Sequence, residues 1–230
     1  MKGREPMNFT RYGVYFTPRP GAFAQAGASW LGWDLAAGTT VGNPDDNITL
    51  RPRKYGFHGT LKPPFHLAED ADLDALQSAL SALAGALTPV ALDGLTLSRI
   101  GSFIALTPVG DTRDLAELAA RVVRDLDVFR APPTEAELAR RRQSKLTPQQ
   151  EENLENWGYP YVMEAFRFHM TLTGPLPRDL MGKVMADAND HFGDLPPRPF
   201  VVDSLTLVGE GEAGRDRKST RLNSSHVRTS

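Results

Sequence analysis

The 230-residue chain contains no cysteine. That excludes disulfides, thiolate metal sites and a cysteine nucleophile. Net charge is nearly absent as well, at −2 from 26 basic and 28 acidic residues. No overall field draws the chain to a polyanion, so any anion binding must come from a local cluster. No apolar run approaches the ~20 residues needed to span a bilayer. The first residues, MKGREPMNFT, lack the apolar stretch of a signal peptide, and a cytoplasmic location is the expectation. What the chain does have is 40% hydrophobic residues, enough for one large domain or two small lobes about a shared core.

Periodicity divides that core into elements. Arg11 to Thr17 alternates, with Tyr12, Val14 and Phe16 on one face, and predicts a strand. Ala22 to Trp33 suits a short helix, and Gly38 to Asp46 a turn-rich loop. Phe57 to Leu61 predicts a strand, with Pro63 and Pro64 interrupting its ladder. Leu73, Leu76, Leu80, Leu83 and Leu87 recur three and four apart, which predicts a helix over 72–87. Strands over 90–97 and 102–108 follow, then a helix over 112–126. Capping boxes at Thr134/Glu137 and Thr147/Gln150 predict two polar helices within an insert at about 131–161. A strand over 166–172, a helix over 177–192 and a strand over 200–208 complete the pattern.

Two short motifs stand out: His58-Gly59-Thr60-Leu61 and His169-Met170-Thr171-Leu172. Each precedes a helix and then a similar strand, Asp93–Leu97 and Asp203–Leu207. His58 lies 37 residues before Leu95, and His169 lies 36 before Leu205. The near-equal spacing implies two halves related by a pseudo-two-fold axis, with the motif strands meeting at the centre. Side chains i and i+2 share a face of a strand, so His58, Thr60, His169 and Thr171 converge, while Leu61 and Leu172 point into the core. Two imidazoles suit phosphoester hydrolysis, one as base and one as acid, because each titrates near neutrality. The two hydroxyls can donate to non-bridging phosphate oxygens. No cofactor is expected, and no metal, since cysteine and H-E-x-x-H spacing are both missing. A pair of structural histidines is the bland alternative.

Other residues are weaker candidates. Arg167 lies two before His169 and can share its face. Lys62 shares the His58 face by the same count but adjoins Pro63. Tyr12, Tyr55 and Tyr161 can stack on a ligand or form core edges. Arg140, Arg141 and Arg142 form a basic run in the insert, where one or two can reach a second phosphate, and a solvated helix face is the alternative. His66 and His191 suit packing or surface roles, and Trp30, Trp33 and Trp157 suit packing.

With both motifs and the repeat in hand, the chain resembles the two-histidine (2H) phosphoesterase superfamily. It resembles more narrowly a bacterial family of unknown function linked to phosphonate metabolism. The segments carrying the likeness are RYGVYFTP, WLGWD, YGFHGTLKPPF, FRAPPTEAELARRR, WGYPYV and FRFHMTLTG. The resemblance implies an α+β, bilobal fold of two pseudo-symmetric antiparallel-sheet lobes with helices outside, as in LigT-like proteins, over residues 8–214. It implies catalytic roles for His58 and His169 and phosphate contacts from Thr60 and Thr171. It also implies a small phosphorylated substrate, a cyclic phosphate of a phosphoribosyl sugar. Opening of RNA 2′,3′-cyclic ends and non-catalytic phospho-ligand binding remain alternatives. A monomer without membrane or long nucleic-acid partners is expected.

The last segment departs from this pattern. Asp216 to His226 reads DRKSTRLNSSH, like a translated sequencing adapter, so residues 215–230 are expected to be foreign and disordered. In the first half Phe103 begins a further strand six residues past Leu97. The corresponding position past Leu207 is Ala213, so the last strand of the second half is expected to be missing and its sheet edge open.

Overall fold

A computed structural model describes residues 9–211 and 219–226. The strands are β1 (Phe9–Phe16), β2 (Trp33–Asp34), β3 (Thr39–Thr40), β4 (Gly59–Phe65), β5 (Val90–Leu92), β6 (Gly94–Ile100) and β7 (Phe103–Val109). They continue with β8 (Met170–Thr171), β9 (Phe200–Val202), β10 (Ser204–Gly211) and β11 (Ser219–His226). The helices are α1 (Ala22–Leu31), α2 (Asp46–Arg53), α3 (Leu73–Ala86), α4 (Arg113–Asp125), α5 (Glu135–Arg142), α6 (Pro148–Trp157) and α7 (Arg178–Phe192).

The fold is α+β and antiparallel. Seven strands form one sheet in the order β11-β10-β1-β4-β8-β7-β6. The two halves expected as lobes therefore join edge to edge, with β4 and β8 adjacent at the centre. The repeat is visible in the order: outward from this pair stand β1 and β7, then β10 and β6. Beside the main sheet, β5 pairs with β9, again one strand from each half.

This arrangement corrects the expectation of an open edge. The place matching β7 is filled by β1, which comes from the start of the chain and pairs with β10 along most of its length. The outer side of β10 is occupied too. Residues 219–226, expected to be unstructured, pair with it as β11. An uncovered strand edge is a row of unpaired N–H and C=O groups, and a neighbouring chain segment can satisfy it whatever its side chains are. Ala213 lies outside the described residues, as do residues 215–218 and 227–230 of the tail.

Burial follows the expected periodicity. Leu76, Leu80, Leu115, Leu118, Val122, Val184 and Phe192 from α3, α4 and α7 join Val14, Leu61, Met170, Leu205 and Leu207 from the sheet in one core. Asp72 caps α3 through its side chain, and both capping boxes of the insert form. The strand expected over 57–61 starts later and runs through the prolines to Phe65. Lys62 pairs with Val14 and Phe65 with Tyr12, so Pro63 and Pro64 sit within a register shift where no ladder donor is needed. The strand expected over 166–172 is reduced to two residues.

Gly59 has a steric reason. A Cβ there would lie 2.3 Å from the Phe168 ring. Replacing Gly59 with alanine is therefore expected to destabilise the protein by ~1–3 kcal/mol through overpacking. Thermal unfolding would check this, and an unchanged melting temperature would refute it.

Candidate active site

One backbone register builds the site. Gly59 pairs with Met170 across β4 and β8. His58 and His169 each stand immediately before this pair, one residue ahead of β4 and of β8. His58 contacts Thr60, shares a pocket with Thr171 and feels the charge of His169, while Leu61, Met170 and Leu172 are buried in the core. Three bonds hold the short β8 in this position. The Leu172 N–H donates to the Ile104 carbonyl at 2.9 Å, the Ile104 N–H donates to the Thr173 hydroxyl at 3.0 Å, and the Trp30 indole donates to the Leu172 carbonyl at 2.9 Å.

The two imidazoles are anchored alike. Nδ1 of His58 is 2.9 Å from the Gly56 carbonyl, and Nδ1 of His169 is 2.8 Å from the Arg167 carbonyl. A carbonyl oxygen only accepts, so each Nδ1 carries its proton, and each Nε2 is the atom left for chemistry. Around His58, the Thr60 hydroxyl stands 3.1 Å from Nε2 and donates to it.

Their surroundings differ. Tyr15 stacks on His58 with ring centroids 3.9 Å apart and planes 24° from parallel. His169 instead meets Phe103 at 5.8 Å in a tilted contact. Burial drives the pKa of His58 down to about 4; the Gly56 bond opposes that fall, and the charge of His169 adds to it. His58 is therefore neutral at pH 7. Burial likewise pushes the Tyr15 phenol above its ordinary value, so it stays protonated.

A pocket opens beside His58, lined by Tyr55, His58, Phe103, Tyr159 and Thr171 among others; His169 and Thr60 are not among its lining residues. Tyr159 comes from the insert. Gly158 adopts φ 71° and ends α6, a turn that favours glycine. The buried Asn153 amide donates to the carbonyls of Val162, at 2.9 Å, and Pro160, at 3.4 Å, clamping the loop that carries Tyr159. Arg130 ties the end of α6 to the body through the Asn156 carbonyl and Asp127.

Several expected ligand contacts are corrected. Lys62 is not on the His58 face: the register shift at Leu61 places it opposite Val14 on the core side. It is 2% exposed, donates to the Val123 carbonyl at 3.0 Å and pairs with Asp127 at 3.2 Å. Burial lowers its pKa to about 8, against the pull of Asp127. Arg167 turns back onto the carbonyls of Glu164 and Phe166 and lines no pocket described around the histidines. Tyr12 packs in the main core, because its parity is that of Val14. Tyr161 is exposed and touches Tyr159 edge-on.

Arg140 and Arg141 line a second pocket that adjoins the first, whereas Arg142 pairs with Glu151. His66 faces Glu137 at 3.5 Å, and His191 bonds the Ala26 carbonyl against Trp30 and Phe192. Tyr15, Phe103 and Tyr159 escape a motif search. The only sequence signal for Tyr15 is its parity opposite Tyr12, Val14 and Phe16. Tyr159 has none beyond its place in an aromatic cluster after a helix stop.

The family described as "Protein of unknown function (DUF1045)" matches residues 60–217. A protein of Janthinobacterium sp. (strain Marseille) named ribose 1,5-bisphosphate phosphokinase PhnN is 38% identical, over 90% of this chain and 49% of its own length. A protein of the same name from Laribacter hongkongensis (strain HLHK9) is 36% identical, over 92% of this chain and 51% of its own length. The chain thus spans about half the length of these curated relatives. Among solved structures, E. coli LigT complexed with 3′-AMP is 16% identical over 96% of this chain and 100% of its own, with a TM-score of 0.45. A phosphoesterase crystal structure is 15% identical at the same coverage, with a TM-score of 0.43.

The stacked Tyr15 ring supplies a direct test of the burial of His58. By NMR titration His58 is expected to protonate near pH 4. Tyr15→Ala should move that midpoint toward the ordinary ~6.5, while Tyr15→Phe should leave it in place. The unfolded chain takes up this proton first, so stability should fall as pH drops from ~6.5 to ~4 and level off below. A wild-type midpoint near 6.5 would contradict the burial argument.

Proposed function

The chain belongs to the DUF1045 family, and we propose that it is a metal-independent phosphoesterase that opens a cyclic phosphodiester with His58 as general base and His169 as general acid. The observation that carries this reading is the matched anchoring of the two imidazoles. Each Nδ1 is tied to the carbonyl two residues back, which leaves both Nε2 atoms for a ligand on one face.

The roles divide by charge. A base must be neutral to accept a proton, and His58 is held neutral well below pH 7. An acid must carry a proton at Nε2, which for His169 is the imidazolium form, since its Nδ1 proton is already engaged. His58 Nε2 takes a proton from water, and the water oxygen bonds to phosphorus. The bond from phosphorus to the ring oxygen breaks, and that oxygen receives the proton from His169 Nε2. The product is a phosphomonoester beside a free hydroxyl. The Thr60 and Thr171 hydroxyls donate to the non-bridging oxygens, where charge rises in the transition state. Thr60 must release His58 Nε2 to do so.

The substrate reading is a phosphoribosyl cyclic phosphate in phosphonate catabolism. The relatives are named for a kinase of ribose 1,5-bisphosphate. Hydrolytic opening of a 1,2-cyclic phosphate on ribose 5-phosphate yields that bisphosphate. The present chain has no G-x-x-x-x-G-K-[ST] run and hence no P-loop lysine for ATP. The substrate reading rests on the relatives' name, since opening the cyclic phosphate would form the compound that name mentions.

His58→Ala and His169→Ala are each expected to lower turnover of the cyclic substrate by ~10²–10⁴-fold with the fold intact. Activity should survive chelator, and the acid limb of its pH profile should fall near pH 4 as His58 protonates. Turnover unchanged in either variant, or lost with chelator, would sink the mechanism.

A further inference from the structure

A second, shallow pocket is lined by Arg11, Lys62, Arg130, Arg140 and Arg141, with Tyr159 as the wall it shares with the His58 pocket. Its charges do not cancel. Arg11 is answered by Glu210 at 2.6 Å, and Lys62 and Arg130 share Asp127. Glu137 is the one carboxylate among the lining residues. Five cations against these three carboxylates leave an excess of two positive charges, the charge of a phosphomonoester dianion with its sign reversed.

The excess is localised on α5. Arg140 has no carboxylate partner among the described residues, and Arg141 lies over the Tyr159 ring with its guanidinium carbon 4.5 Å from the centroid. This contact and a side-chain hydrogen bond to Tyr159 engage part of the guanidinium, and its remaining N–H groups can fork onto phosphate oxygens. Arg140 is exposed and Arg141 half-buried, and Pro63, Pro64, Phe65 and Trp157 form an apolar wall beside them. In that partly apolar setting a charge-assisted bond is stronger than on open surface.

From this cluster we infer that the pocket holds a second, terminal phosphate of the substrate while the histidines act on the cyclic one. Tyr159 stands between the two sites and contacts the body joining the two phosphates. The inference rests on the phosphoesterase reading for its first site and assigns the insert a role in substrate choice. The preferred substrate class is then a cyclic phosphodiester that also bears a remote phosphomonoester.

The test compares two cyclic phosphates of one sugar, with and without the remote phosphate, in the wild type and in the Arg140→Gln, Arg141→Gln and double variants. The wild type should favour the bearer of the remote phosphate by ten-fold or more in kcat/KM, mostly through KM. The double variant should cut that ratio by ten-fold or more. A wild-type ratio near one, or a ratio the double variant leaves unchanged, overturns the inference. If the wild type turns over neither compound, the phosphoesterase reading fails separately. Calorimetric titration of inorganic phosphate into His58→Ala protein, with and without the two arginine substitutions, then decides the pocket. Binding weakened ten-fold or more by the arginine substitutions supports it, and equal binding overturns it.

Discussion

The pairing of Gly59 with Met170 is the constraint on which the site depends. Side-chain direction in a strand has a period of two. A slip of β8 by one residue at this contact would turn Thr171 toward the core and Met170 out of it. The cost of exposing that apolar side chain is what holds the register. β8 has two residues of its own, so its neighbours do the holding. Ile104 and Thr173 tie it to β7, Trp30 ties its end to α1, and Phe168 fills the space that the missing Cβ of Gly59 leaves.

Around this symmetric frame the structure builds an asymmetric site. The approximate dyad relates β1 to β7, and those two strands present different residues to the two imidazoles. Tyr15 covers His58 by stacking, while Phe103 meets His169 at a tilt. Excluding water from one ring favours its neutral form. Two histidines of the same motif thus sit in different surroundings. The insert adds a second asymmetry, since the arginines of α5 and Tyr159 flank one side of the site and have no counterpart in the other half.

A strand whose ladder is broken shows how far counting along a sequence reaches. Counted from His58, Lys62 belongs to the reactive face. The shift at Leu61 reverses that parity, and Lys62 becomes a buried cation held by Val123 and Asp127. Arg167 fails for another reason: residues 166–169 are not in a strand, so the spacing of two carries no face. Where strands are regular the count succeeds. Leu61 and Leu172 are in the core, and the helices over 73–86, 113–125 and 178–192 bury the apolar positions their periodicity marks.

The chain by itself determined the repeat, the two motifs, the helices and the core, because each is written as local periodicity and spacing. Only the tertiary structure decided that β1 completes the second half, that residues 219–226 cover its outer edge, and that Tyr15 and Tyr159 join the site. These are contacts between segments distant along the chain. They are set by which strand edges and ring faces meet once the core has formed, and no local pattern of residues encodes that meeting.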